Sequence, residues 1–299
     1  ILFRRIREGF GGRLEFFIGG GALLDIDLQR FFYAIGIPMY QGYGLTEAAP
    51  VISANNPTKH KMGSSGALVK NLMLKICDEK GNEVPPGGKG EIVVKGENVM
   101  VGYWHNPEAT KETIRDGWLY TGDLGYLDSD GFLYVLGRFK SLLIADDGEK
   151  FSPESIEEAI VQNSNFIEQC MLYNNQNAYT TALIYPNCGA IKAWISDQKL
   201  PVGGEETLRE IVKLLELQID QFLTGGKLQN LFPNRWLPSS FALIEEGFTE
   251  DNQLVNSTLK IVRPKINERF RDRLAYMYTP QGKNIFNDQN FNILKKILQ

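Results

Sequence analysis

Tyr43-Gly44-Leu45-Thr46-Glu47 sets an aromatic ring, an unobstructed backbone, a hydroxyl and a carboxylate within five residues. Glycines let a main chain come close to a flat ligand, on which the Tyr43 ring can stack. The Thr46 hydroxyl can donate to a phosphate oxygen, and Glu47 is a hard oxygen ligand of the kind Mg²⁺ takes. Farther along, Asp123 follows Tyr120-Thr121-Gly122 and Arg138 follows Gly137. One carboxylate can accept both hydroxyls of a vicinal diol, and a guanidinium can donate to the same sugar. Ring, phosphate, metal and diol chemistry together describe a nucleotide site. Alone, Tyr43 to Glu47 reads as an ordinary strand-to-helix turn, Asp123 as a turn residue and Arg138 as a surface partner. Order and spacing along the chain carry the weight.

Four strings stand in that order: Gln41-Gly42-Tyr43-Gly44-Leu45-Thr46-Glu47, then Leu-Tyr-Thr-Gly-Asp-Leu-Gly from Leu119, Gly-Arg-Phe-Lys from Gly137 and Leu-Lys-Ile-Val-Arg from Leu259. Together they resemble the later half of the motif series of the adenylate-forming superfamily, which contains acyl-CoA synthetases, adenylation domains and luciferases. The resemblance implies a nucleotide site made of Gly20, Gly21, Ala22, Gln41, Gly42, Tyr43, Gly44, Thr46, Asp123 and Arg138, with Leu23 standing where the family commonly has proline. It implies Thr46, Glu47 and Lys260 as catalytic residues, Glu47 as the Mg²⁺ ligand, Lys140 as a hinge and Gly148 as the glycine that admits the pantetheine of coenzyme A. Outside that context Lys260 and Lys140 read as solvated lysines. Gly102-Tyr103-Trp104 and Asn106-Pro107-Glu108-Ala109-Thr110 also match the family, with structural work as the expectation.

Transferring an adenylyl group to a carboxylic acid needs stabilisation of the charge that grows at the α-phosphorus, which a mobile lysine can provide. The resemblance implies ATP-dependent ligation of a fatty acid to coenzyme A through an acyl-adenylate, and long-chain because the Arg138 to Gly148 stretch resembles that of the family's long-chain members. ATP or AMP, Mg²⁺ and coenzyme A are the implied ligands. An adenylation module of an assembly line is the alternative, although residues 265–299 show no carrier-domain turn. A noncatalytic AMP-binding protein is another. The family's Ser/Thr/Gly-rich phosphate loop ending in Pro-Lys-Gly has no counterpart here; Pro85-Pro86-Gly87-Gly88-Lys89-Gly90 lacks the hydroxyls. With Ile1 opening the chain, this predicts the C-terminal part of a longer synthetase, inactive alone.

The elements that must position these groups show in the hydropathy pattern. Leu14 to Ile18 reads as a buried strand entering the Gly19-Gly20-Gly21 turn, Ala22 to Ala34 as a helix, and Ile37 to Tyr40 as a second strand that delivers Tyr43 at its carboxyl end. From Lys61 to Gly137 short apolar runs alternate with turns such as Asp130-Gly131, which predicts a barrel-like β subdomain ending in a Phe132–Leu136 strand. Ser152-Pro153-Glu154 reads as a helix start with a capping serine, and Glu206 to Leu223 as an amphipathic helix. That helix and Trp194 read as belonging to an insertion in the small domain. The fold class is thus α/β and α+β: residues 1–60 as the end of a large α/β domain, 61–139 as the barrel-like part, 140–275 as a small α+β domain, which the resemblance implies is mobile, and 276–299 as a polar tail ending in a short helix.

Composition sets the outer limits. The chain has 299 residues, 43% hydrophobic and 23% charged, enough to bury sizeable cores. Basic and acidic residues nearly balance, 32 against 36, so no strongly basic field advertises nucleic acid. Cys77, Cys170 and Cys188 form no CxxC pair, and His60 and His105 are the only histidines, which argues against a zinc site or a disulfide framework. No apolar run reaches the ~18 residues of a membrane span. A cytoplasmic setting is expected, with room for peripheral membrane contact and for a homodimer.

Overall fold

A computed structural model describes residues 2–21, 24–201, 203–256 and 260–298, without the side chains of Leu2 and Lys140. By internal packing the chain divides into two units, Ile1–Lys140 and Ser141–Gln299.

In the first unit the order is α1 (Leu2–Gly9), β1 (Phe17–Gly19), α2 (Ile26–Ala34), β2 (Met39–Gly44), β3 (Val51–Ala54), β4 (Ala67–Leu68), β5 (Leu72–Cys77), β6 (Gly90–Gly96), α3 (Pro107–Thr113), β7 (Ile114–Arg115), β8 (Trp118–Leu127) and β9 (Leu133–Arg138). Strands β1 to β4 make one sheet in sequence order, with β1 parallel to β2 and Gly19 opposite Gln41. Strands β5, β6, β8 and β7 make a second, strongly antiparallel sheet, and β9 pairs with β8. Ile52, Ile76, Ile92, Val94, Leu119 and Leu133 form the core that joins them.

The sequence placed a buried strand at Leu14–Ile18, and the structure differs. β1 is only Phe17–Gly19 and Ile18 is 70% exposed, because β1 is the edge strand and its alternate side chain points away from the packed face. Phe10, Phe17 and Phe32 cluster edge to face on the other side, at 5.5–6.3 Å between ring centroids. Phe3, Phe31 and Tyr33 are about half exposed nearby in sequence. Helix α2 starts later than the apolar periodicity suggests because Asp25 caps it, accepting from the Asp27 and Leu28 amides.

The second unit runs β10 (Leu143–Ala145), β11 (Lys150–Phe151), α4 (Glu154–Gln162), β12 (Ile167–Tyr173), β13 (Asn175–Asn177), β14 (Thr180–Pro186), α5 (Cys188–Asp197), α6 (Glu205–Asp220), β15 (Pro238–Leu243), α7 (Arg263–Arg269), α8 (Arg271–Met277), α9 (Pro280–Lys283) and α10 (Asp288–Leu298). Its central sheet is β12-β14-β15, antiparallel then parallel. Alternation along β14 feeds two cores: Ala182 and Ile184 pack with Ile156, Ile211, Leu215 and Phe241, whereas Leu183 packs with Met171, Ile266 and Leu274. Both faces of the sheet are covered.

Two expectations need correction here. Ser152 does not cap α4: Pro153 occupies the cap position, and the Ser152 hydroxyl donates instead to the Glu154 carboxylate. The stretch expected as a polar tail is built into the second unit. Phe291, Leu294 and Leu298 of α10 are buried against the α6 side of the core, and the buried Asn290 carboxamide oxygen accepts from the Leu243 amide at 2.9 Å. Polar residues interleaved with the apolar ones hide the stripe when the segment is read only for composition, but the i, i+3, i+7 spacing of those three residues is one helix face.

Candidate functional site

Tyr43 is the penultimate residue of β2, and its hydroxyl donates to Asp123 Oδ2 at 2.6 Å, across 80 residues of sequence. Asp123 Oδ1 faces Arg138 Nε at 3.2 Å. Burial, with the negative Asp123 beside it, holds the Tyr43 phenol well above the usual tyrosine range, so its proton stays on and it serves as a donor. The Asp123 side chain is 13% exposed and that of Arg138 is 51% exposed, so the carboxylate is sheltered while the guanidinium reaches into solvent.

The local sequence explains this placement. Asp128 to Gly131 turns β8 back as β9, with Tyr126 opposite Tyr134 and Gly125 opposite Val135. Continued in that register, Asp123 would face Gly137. A bulge between Leu124 and Gly125 shifts the pairing by one residue, and Asp123 stands opposite Arg138. A second irregularity, between Glu91 and Val93 on β6, frees the backbone around Thr121-Gly122 from the ladder. Side chains satisfy what it frees: the Thr121 hydroxyl donates to Ile92 O at 2.7 Å and accepts from the Asp123 amide at 3.1 Å, and Glu91 accepts from the Gly122 amide at 2.9 Å. Gly122 sits at φ 72°, which side-chain-bearing residues seldom adopt.

After Gly44 the chain turns sharply into a short 3₁₀ turn, Thr46–Ala48, that presents Thr46 and Glu47. A Cβ at Gly44 would lie 1.8 Å from Pro50 O, so this glycine is demanded by the turn itself. The turn is closed by the Leu45 amide to Pro50 O at 2.8 Å and by Asn98 Nδ2, which donates to Ala48 O at 2.8 Å and Val51 O at 3.1 Å. Tyr103 Oη donates to Glu47 Oε1 at 2.8 Å. Burial and that carboxylate raise the Tyr103 phenol, which keeps it a donor. Tyr103 and Asn98 were not among the expected site residues. Their 56- and 50-residue separations from their partners leave no local trace.

Thus Gln41, Gly42, Tyr43, Gly44, Thr46, Glu47, Asp123 and Arg138 all belong to the first unit. Gln41 is buried and its side-chain oxygen accepts from the Leu24 amide at 3.1 Å, while Gly20 follows β1 with an added Cβ 3.6 Å from Gly42 O. Gly21 turns at φ 86°; Ala22 lies outside the described residues. Gly148 and Lys260 belong to the second unit. Gly148 is at the tip of the β10–β11 hairpin, at φ 83° with nothing within 4 Å of where a Cβ would be. Beside it Glu149 is held by Arg235 and by Trp236 Nε1 at 3.0 Å. Lys260 is exposed, and its amide donates to Asn256 Oδ1 at 2.9 Å. Lys140 is the last residue of the first unit.

Among the described residues no three His, Cys, Asp or Glu side chains gather to hold a metal. Mg²⁺ suits the donors that are present, since it commonly takes one or two carboxylates and completes its shell with water and substrate phosphate. Glu47, half buried with one oxygen already oriented by Tyr103, is such a carboxylate. No helix among the described residues is long and apolar enough to cross a membrane.

Residues 4–104 match the family model described as AMP-binding enzyme, and residues 140–216 match that of the AMP-binding enzyme C-terminal domain. The chain is 33% identical over 296 residues to probable acyl-activating enzyme 16, chloroplastic, of Arabidopsis thaliana, covering 93% of this chain and 39% of that protein. It is 32% identical over 290 residues to long chain acyl-CoA synthetase 8 of the same plant, covering 93% and 40%. Among solved structures, the adenylation domain of a carboxylate reductase from Mycobacterium chelonae superposes with a TM-score of 0.70 at 24% identity, over 92% of this chain and 40% of that one, a likeness of fold. The chain therefore spans about 40% of the length of the curated relatives it matches. On the two family matches and the relatives aligned over nearly all of it, the chain belongs to the adenylate-forming AMP-binding enzymes.

Proposed function

We propose that this chain is the AMP-gripping and domain-pivoting portion of a long-chain fatty acid–CoA ligase. The observation that carries the reading is the Asp123 carboxylate, sheltered and held between the Tyr43 hydroxyl and the Arg138 guanidinium. A carboxylate so oriented suits the two hydroxyls of a ribose, and an adenine suits the ring of Tyr43. Glu47 and Thr46 would meet the phosphates, Glu47 through Mg²⁺, which neutralises charge when bound. Gly20, Gly21, Ala22, Gln41, Gly42 and Gly44 would line the nucleotide with backbone. Lys260 would place an ammonium against the charge developing at the α-phosphorus, Lys140 would be the pivot, and Gly148 would leave room for pantetheine. The long-chain acyl group and coenzyme A as acceptor are supported by the name of a relative, long chain acyl-CoA synthetase 8.

Asp123→Asn in the longer polypeptide that carries this chain tests the grip. Replacing a charge-assisted acceptor costs ~1.5–3 kcal/mol, so KM for ATP should rise roughly tenfold to a hundredfold. An unchanged KM for ATP with a folded variant would sink the assignment.

A further inference from the structure

Glu157 and Arg263 are the charged pair that the nucleotide chemistry leaves unexplained. Their side chains are 8% and 10% exposed, and they are ion-paired with each other on α4 and at the first turn of α7. Arg263 Nη1 also donates to Leu172 O at 3.1 Å, and the Leu172 amide donates to Glu157 Oε1. One residue of β12 is thereby clamped on both its amide and its carbonyl. Burial pushes the Glu157 carboxyl up to about 7 against the pull of Arg263, so this charge is held at some cost.

What stands on this clamp is the backbone pairing of 254–256 with 260–262 that carries Lys260. Val262, just before Arg263, donates its amide to Leu254 O at 2.8 Å; Ile261 bridges Val255; and Asn256 and Lys260 exchange two bonds at 2.9 Å each, one through the backbone carbonyl of Lys260 and one through the Asn256 side chain. Leu254, Val255 and Ile266 anchor this pairing in a buried core. Lys260 itself is exposed, with Glu158 of α4 close enough to feel its charge. The chain between Lys260 and the clamp is two residues long, so wherever Arg263 is fixed, the backbone of Lys260 is fixed within a narrow arc.

We infer that Glu157 and Arg263, through Leu172, form a pedestal that positions Lys260, and that neither touches substrate. The inference deepens the proposed ligase and rests on the role given there to Lys260. Arginine is needed because a planar fork reaches carboxylate and carbonyl together, which an ammonium on a flexible stem does not.

Hydrogen–deuterium exchange on the chain with Glu157→Gln or Arg263→Lys reads the pedestal directly. Exchange over residues 254–262 should quicken by about tenfold or more, from loss of a charge-assisted contact, while β14 and α6 keep their protection. Unaltered exchange at 254–262, or a rise shared equally by the whole second unit, overturns the inference. The longer polypeptide supplies the second readout. The same variants should slow acyl-adenylate formation by roughly tenfold to a hundredfold and leave thioester formation from preformed acyl-adenylate within about threefold. Equal losses in both half-reactions overturn it. Lys260→Ala separates the two levels: adenylation that ignores Lys260→Ala removes the lysine's assigned role and this inference with it, whereas adenylation that collapses in Lys260→Ala but survives in Glu157→Gln removes this inference alone.

Discussion

Tyr103 shows how a single hydroxyl can decide the direction of a carboxylate. Its bond to Glu47 Oε1 fixes that carboxylate, and under the role proposed for Glu47 this would be the difference between an oriented Mg²⁺ donor and a rotating one. Tyr103→Phe removes one hydrogen bond to a charged group at a partly exposed position, so stability should move by less than ~0.5 kcal/mol. The Mg²⁺ concentration for half-maximal adenylation should rise by roughly threefold to tenfold, read from a Mg²⁺ titration of pyrophosphate exchange. No change in that titration would leave Tyr103 with a packing role alone. The sequence marked Tyr43, Glu47, Asp123 and Arg138 because their residue types state a chemistry. It could not mark Tyr103 or Asn98 as their supports, since a phenol and an amide serve equally well anywhere on a surface and their partners are distant in sequence.

At the scale of elements, the hairpin of β8 and β9 was readable from Asp130-Gly131 and the apolar run after it, but the bulge was not. No residue type at Leu124, Gly125 or Leu136 announces that one extra residue intrudes, yet that residue decides whether Asp123 meets a glycine or an arginine. Likewise α10 was legible as a helix and misjudged as a tail, because its burial depends on a receiving surface made by α5, α6 and β15 rather than on its own hydrophobicity. Leu294→Ala should therefore cost the chain ~2–5 kcal/mol, lowering the urea midpoint for the second unit. A dispensable tail would lose almost nothing. The second sheet of the first unit followed from short apolar runs and turn residues, whereas β3 was not anticipated and β1 proved shorter and more exposed than its apolar run implies. Apolarity alone does not say on which edge a strand will lie.

At the scale of the molecule, the chain holds matches to both family models but spans about 40% of its curated relatives, and the hydroxyl-rich phosphate loop expected of the family has no counterpart in it. Tested by itself, the chain is expected to give no ATP–pyrophosphate exchange above buffer; turnover at the rate of a complete synthetase would mean that triphosphate binding is achieved by other residues. The first unit ends its sheet on β1 with Ile18 standing outward, and Phe3, Phe10, Phe31 and Tyr33 add aromatic surface on and beside α1 and α2. An unpaired strand margin next to exposed rings is sticky toward other copies. Sulfate, which strengthens apolar burial, should draw such copies into turbidity, and dilution should clear them; the margin of β1 thus sets the concentration at which this polypeptide ceases to behave as single molecules.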